Sequence, residues 1–274
     1  MRFSRMRIAI CVKQVPDTAQ VEIDPETRTL RREGVESILN PLDTFAVEEG
    51  LRIREAMGGE ITAVSMGPPQ SESVLREVMA MGVDHAVLVS GKEFAGSDTW
   101  ATSLAIARTL EGCGPWDIIL CGKQAVDGDT AHVGPELAAH LGIPQVTFVR
   151  TVLELNPNSA VVERLTESGT QEVVTPLPAL LTVLKDLNEP RWPNMAELYR
   201  ARFAPVRQFR LADLNLEGSE VGLEGSPTRV IDMFSPETER DGLIFDEDYE
   251  EGFERLLCHL DENGVINFSG DDSL

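Results

Sequence analysis

The chain has 274 residues, 42% of them hydrophobic and 26% charged, with a formal net charge of −22. That length holds one large domain, or a domain with appendages, around a full core. The negative charge repels nucleic acid and anionic membrane surfaces; aromatic residues, at 5%, are too few for a base-stacking surface, and no apolar run spans a bilayer.

The basic start, Met1 to Arg7, is followed by only a short apolar run, so it reads as the lead into a strand. A targeting presequence would need a longer basic amphipathic leader, and a mature cytoplasmic protein is expected. Residues 7–12 form a continuous apolar strand, as in a sheet covered on both faces. Residues 21–30, with Pro25-Glu26-Thr27-Arg28 in the middle, predict a small hairpin. Asn40-Pro41-Leu42-Asp43 stops the chain, with Asp43 placed to cap a helix that begins at Thr44 and ends at Gly58-Gly59. A second strand follows over 60–66. A helix from about Ser71 carries Val74, Leu75, Val78 and Met81, and stops at Gly82. The third strand covers 86–89, and Asp98 is placed to cap the helix bearing Ala101, Leu104, Ala105 and Leu110.

The fourth strand, 118–120, runs into Cys121-Gly122-Lys123-Gln124-Ala125-Val126-Asp127-Gly128-Asp129-Thr130-Ala131-His132-Val133-Gly134 and then an amphipathic helix with Val133, Leu137 and Leu141 one turn apart. Pro135 should kink that helix or start its regular part. An apolar strand, a loop of glycines and small polar residues, then a helix is the local form of a phosphate-binding turn. Glycines admit a close ligand, and unpaired amides at the helix start favour an anion. A nucleotide is therefore the first ligand to consider. Lys123 either pairs with a phosphate or is solvated. Asp127 and Asp129 either hold a magnesium ion or form turns and a cap together with Thr130. His132 lies inside the loop, within reach of a ligand.

A fifth strand covers 146–149. The regular alternation of strand and helix up to that point implies right-handed crossovers and an α/β fold with a doubly wound, mainly parallel sheet. In such sheets ligands sit beyond the C-terminal strand ends at the switch point. Three ends can converge there: Cys11-Val12-Lys13, Ser65-Met66-Gly67-Pro68 and Cys121-Gly122-Lys123, with Asn40-Pro41 closing the same pocket. Beyond 149, residues 152–155 and 160–165 flank a turn at Asn156-Pro157-Asn158-Ser159. Residues 172–175 and the buried-looking 179–184 add strands. The stretch Asn188-Glu189-Pro190-Arg191-Trp192-Pro193-Asn194 is irregular, residues 195–201 can be helical, and 211–228 form a connector.

The last 40 residues carry 13 acidic and 2 basic side chains, yet keep an apolar stripe at Phe253, Leu256, Leu257 and Leu260. The expected division is 1–150 for a nucleotide-binding core, 151–234 for strand additions, a loop and the connector, and 235–274 for an acidic arm with a helix. Cys11, Cys113, Cys121 and Cys258 show no Cys-x-x-Cys spacing and read as reduced thiols; the histidines show no ligand spacing, so no metal is expected. No nucleophile elbow, P-loop or Gly-x-Gly-x-x-Gly fingerprint is present, and no catalytic residue is assigned.

Three blocks of residues resemble one family, the β subunit of electron transfer flavoprotein. They are Ile10-Cys11-Val12-Lys13-Gln14-Val15-Pro16-Asp17 with Asn40-Pro41-Leu42-Asp43; the loop Cys121 to Pro135; and Pro178-Ala179-Leu180-Leu181-Thr182-Val183 through Leu187-Asn188-Glu189-Pro190-Arg191. The resemblance implies an adenine nucleotide α-hydrolase-like fold and an electron carrier subunit with no substrate turnover of its own. It implies a heterodimer with an α subunit that binds a redox FAD, whose ring the β subunit shields. It implies a buried nucleotide in this chain, AMP or a second FAD. Carried over, that pocket comprises Cys11, Asn40, Pro41, Leu42, Asp43, Met66 and the loop from Gly122 to Val133. The segment after Arg191 looks like the loop that docks acyl-CoA dehydrogenases, and a quinone oxidoreductase or a low-potential carrier is the implied acceptor.

Ordinary members of the family hold AMP in β. Bifurcating members hold a second FAD, which accepts a hydride from NADH and parts with its two electrons separately. Thr182-Val183-Leu184-Lys185-Asp186 with Arg191 resembles the bifurcating pattern, and the short insertion carrying a leucine anchor is missing. Arg191 either stabilises anionic reduced flavin or forms a structural salt bridge. A nucleotide-binding sensor of the universal-stress type is the alternative from another class.

Overall fold

The computed structural model describes residues 5–17, 22–23, 30–31, 37–231, 242–244 and 248–266. In chain order, β1 is Met6–Cys11, β2 Gln14–Pro16, β3 Glu22–Ile23, β4 Leu30–Arg31 and β5 Ser37–Leu39. Then come α1 (Asp43–Met57), β6 (Gly59–Met66), α2 (Glu72–Met81), β7 (His85–Val89), α3 (Thr99–Cys113), β8 (Ile118–Gly122) and α4 (Val133–Leu141). They are followed by β9 (Gln145–Asn156), β10 (Ser159–Thr166), β11 (Gly169–Pro176), β12 (Ala179–Val183), α5 (Met195–Phe203), β13 (Val206–Phe209) and α6 (Tyr249–Glu262).

The main sheet runs β11-β10-β9-β12-β8-β1-β6-β7-β13. From β9 to β13 every pairing is parallel, and only β9-β10-β11 is antiparallel. This is the doubly wound α/β class expected from the sequence. From β1 the chain winds outward through β6 and β7, then returns to lay β8 on the other side of β1. The switch point therefore lies between β1 and β8, where Cys11 stands opposite Cys121.

Strand periodicity divides the core. Ile8 and Ile10 pack with Ala46, Val47 and Leu51 of α1 and Val74, Leu75 and Val78 of α2. Ala9 and Cys11 face Ala105 and Leu110 of α3 and Leu137 of α4. Each fully buried Leu or Ile contributes about 1.5–3 kcal/mol, so both faces of the central strands hold the layers together. Asp98 caps α3 as predicted, accepting from the Ala101 amide at 3.1 Å, and α2 ends at Gly82 with φ 124°.

Several elements differ from the sequence expectation. The predicted strands 146–149 and 152–155 are one strand, β9. It runs parallel to β12 at its start and antiparallel to β10 further on, with Phe148 at φ 59° where the partner changes. The short strands β2, β5 and β13 were not anticipated, because three or four residues such as Val206-Arg207-Gln208-Phe209 show no period. Asp43 does not cap α1: the helix starts after Leu42 without a side-chain cap, and the carboxylate points elsewhere. The predicted hairpin appears as β3 paired with β4, Ile23 opposite Leu30; its turn, residues 24–29, lies outside the described residues.

The chain forms two compact units, Met1–Met233 and Phe234–Leu274. Within the second, α6 is capped by Asp248, whose side chain accepts from the Glu250 and Glu251 amides, and it carries the predicted Phe253, Leu256, Leu257 and Leu260 stripe. No helix among the described residues is long and apolar enough to cross a membrane.

Candidate functional site

A cavity of about 1180 Å³ opens at the C-terminal ends of β8, β1, β6, β7 and β13. Its floor is the switch point. There Asp43 is buried, and its Oδ2 accepts from the Lys13 amide at 2.8 Å. Burial pushes the Asp43 carboxyl up from 3.8 to about 7, against the pull of hydrogen bonds from the Asn40 side chain and the Lys13 and Gly122 amides and of the nearby Lys13 charge. Asp43 thus links the end of β1 to the end of β8. Gly122 is required by this approach: a Cβ there would lie 2.3 Å from Asp43 Oδ1 and 2.7 Å from the Leu42 carbonyl. Beside them, Cys11 and Cys121 are free thiols; a hydrogen bond with Cys11, then burial, pushes the Cys121 thiol up.

The first wall is the glycine-rich loop. Asn40, fully buried, donates from Nδ2 to the Gln124 carbonyl at 2.9 Å and accepts from the Val126 amide at 3.2 Å, pinning the loop from behind. The Asp129 amide donates to the Ala125 carbonyl at 2.9 Å, and the Gln124 side chain bonds the Asp129 carboxylate. Asp129 and Ala131 are left-handed, at φ 53° and 57°, an arrangement that costs energy outside glycine. Lys13 Nζ reaches Asp127 at 2.7 Å across the loop mouth, and Lys123 Nζ stands 5.6 Å from the centre of the Phe148 ring. Helix α4 then begins after His132 with no side-chain cap. The first amides of a helix have no partner within it, and Val133 and Gly134 line the cavity. Pro135 is the third residue of α4, in the first turn, where its missing N–H costs nothing.

The second wall is the segment after β7, from Ser90 to Thr99, with Thr102 and Ile106 of α3 and with Gln208 and Arg210 at the end of β13. The helix beginning here is capped by Asp98, whose side chain takes the Ala101 amide. Sequence reasoning missed this wall. The available signal was the end of the third strand, which topology places at the same edge as the three ends chosen.

Of the expected site residues, the structure brings Cys11, Asp43, Met66, Gly122, Lys123, Gln124, Ala125, Gly128, Thr130, Ala131, His132 and Val133 to the cavity lining. Asn40, Pro41, Leu42, Val126, Asp127 and Asp129 are not part of the lining; of these, Asn40, Leu42, Val126 and Asp129 contribute to holding the floor and loop. Arg191 is not brought to the cavity. Its guanidinium grips Glu48, Nε at 2.8 Å and Nη2 at 2.9 Å, and meets Glu55 at 2.5 Å. The Glu48 carboxyl stays below the usual range because the Arg191 bonds outweigh its burial. This is the salt-bridge geometry. Beyond Arg191, Trp192 is 93% exposed, and Met195, Tyr199 and Phe203 of α5 are exposed with it.

Fold and site together define a doubly wound α/β protein with one large cavity across its switch point. The electron transfer flavoprotein domain matches residues 27–214. The electron transfer flavoprotein subunit beta of Thermoanaerobacterium thermosaccharolyticum is 47% identical, covering 95% of this chain and all of the relative. The caffeyl-CoA reductase-Etf complex subunit CarD of Acetobacterium woodii is 42% identical over 95% of this chain and all of its own length. Protein FixA of Azorhizobium caulinodans is 45% identical over 84% of this chain and 85% of its own. The chain belongs to the electron transfer flavoprotein family, among its β subunits.

Proposed function

We propose that this chain is the β subunit of an electron-bifurcating flavoprotein and holds a second FAD in the switch-point cavity. The observation that carries this is the cavity itself. At about 1180 Å³ it exceeds the usual range for a small-ligand pocket, roughly 300–1,000 Å³. It runs from the glycine-rich loop to the Ser90–Thr99 wall, more than a mononucleotide needs. The first-turn amides of α4, at Val133 and Gly134 on the cavity lining, suit a phosphate of that dinucleotide on the first wall. Bound FAD would supply hydride acceptance and one-electron release, chemistry that belongs to the cofactor.

The residues of this chain seat and cover it. Loop amides hold the phosphates, Asp43 and Asn40 keep floor and loop in register, and the walls exclude water. AMP in the same phosphate seat, with the second wall left to solvent, is the other reading. In either case the chain pairs with an α subunit carrying the redox FAD. The exposed Trp192, Met195, Tyr199 and Phe203 face is the docking surface for an acyl-CoA or other flavin dehydrogenase, and a quinone oxidoreductase or low-potential carrier takes the electrons onward. The reductase partner in one relative's name supports a CoA-ester enzyme among these partners. Gly128→Val with Asp129→Ala tests the seat: nucleotide retention by the purified complex should be lost, and unchanged retention would remove the loop from the site.

A further inference from the structure

The second wall has a back as well as a front. Residues 95–99 line the cavity on one side. On the other they are fastened to the connector between residues 222 and 228. The Gly222 amide donates to Ser97 Oγ at 2.9 Å, and the Leu223 amide to the Ala95 carbonyl at 3.2 Å. Ser226 Oγ accepts from the Asp98 amide at 2.8 Å and donates to the Gly222 carbonyl at 2.6 Å. Thr228 closes the set, its amide at 2.9 Å and its Oγ1 at 2.7 Å from Asp98 Oδ2. The other oxygen of the same carboxylate, Oδ1, caps α3. Burial works upward on the Asp98 carboxyl, but the Thr228 hydroxyl and the amides of Ala101, Thr228 and Trp100 hold it below its ordinary value.

We propose that Ser226 and Thr228 are positioning residues for the nucleotide: by clasping Asp98 from behind they fix the wall formed by residues 95–99, and so set how tightly the cavity holds its ligand. Neither residue lines the cavity. Neither interrupts the helix cap, since Thr228 uses the carboxylate oxygen that the Ala101 amide does not. Coupling of this kind is reciprocal: a clasp that tightens nucleotide binding must itself be tightened by the nucleotide.

This inference rests on the cavity holding a nucleotide, and the test separates the two ideas. The full chain, co-expressed with an α subunit, is stripped of nucleotide and titrated with FAD and with AMP as wild type, Thr228→Val and Thr228→Ser. Thr228→Val should weaken binding about tenfold, and Thr228→Ser should restore it, while the melting temperatures of the nucleotide-free proteins stay alike. In the wild type, nucleotide should slow amide exchange across residues 222–228. Equal affinities in wild type and Thr228→Val, with exchange indifferent to nucleotide, would overturn the clasp and leave the cavity reading standing. Failure of the wild type to bind either nucleotide would bring down both.

Discussion

The two walls of the cavity are built on opposite principles. On the α4 side the helix begins without a side-chain cap, the Val133 and Gly134 positions of its first turn line the cavity, and its cations are spent on neighbours, Lys13 on Asp127 and Lys123 on Phe148. On the α3 side the helix is capped by its own aspartate, which is held in turn by the connector. Both helices point their positive ends at one cavity, but only the first leaves that end unfilled. A helix N-terminus is a phosphate seat only when no side chain has already taken it. On the proposed reading, a chain of net charge −22 would hold a polyanion through backbone dipoles rather than through a basic patch.

The largest effect should come from the floor shared by both walls. Gly122→Val places carbon against Asp43 and the Leu42 backbone, and should cost about 3 kcal/mol by overpacking, read as a fall in urea midpoint, with nucleotide lost as well. Next is the first wall alone. Asn40→Ala leaves the Val126 amide without its acceptor and should cost about 2 kcal/mol, with faster nucleotide release. A stability loss without any change in release would detach the loop from the ligand.

A third test concerns pH. With its folded pKa raised to about 7, Asp43 takes up a proton on folding anywhere between the two values. Its contribution to stability is therefore lost as pH rises from about 4 to 7. Glu48, Glu55 and Asp98, held low, contribute in the opposite sense at more acidic pH. The check is a difference: Asp43→Asn should remove a falling component between pH 4 and 7, and parallel pH profiles would show the buried carboxyl to be charged throughout. The smallest effect belongs outside both walls. Arg191→Lys breaks the two-pronged grip on Glu48, should change stability by less than about 1 kcal/mol, and should leave nucleotide retention untouched. A shifted flavin potential in that variant would instead assign Arg191 to stabilising reduced flavin.

Much of the core was legible because its strands are continuous apolar runs and its helices carry their own stops, such as Asp98 and Gly82. The position of the first wall was legible for a related reason: a loop that turns sharply between a strand and a helix is written in glycine and small polar residues over many consecutive positions. The second wall is assembled from pieces with no local signature. Ser90 to Thr99, Gln208 and Arg210 meet only because β13 adds at the far edge of the sheet, a long-range pairing that four residues cannot announce. Asp43 shows the same limit from another side. Its place just before a helix suggested a cap, yet tertiary packing turned the carboxylate inward to tie Lys13 to Gly122. The insertion of β12 between β8 and β9 was equally invisible, since Ala179-Leu180-Leu181-Thr182-Val183 looks the same at any central position.

The most direct test of a dinucleotide spanning both walls is the nucleotide content of the purified α/β complex after acid release, followed by addition of NADH. Two FAD per heterodimer, with flavin bleached by NADH, is the predicted result. One FAD with one AMP, and no response to NADH, would contradict it and leave the second wall without a ligand.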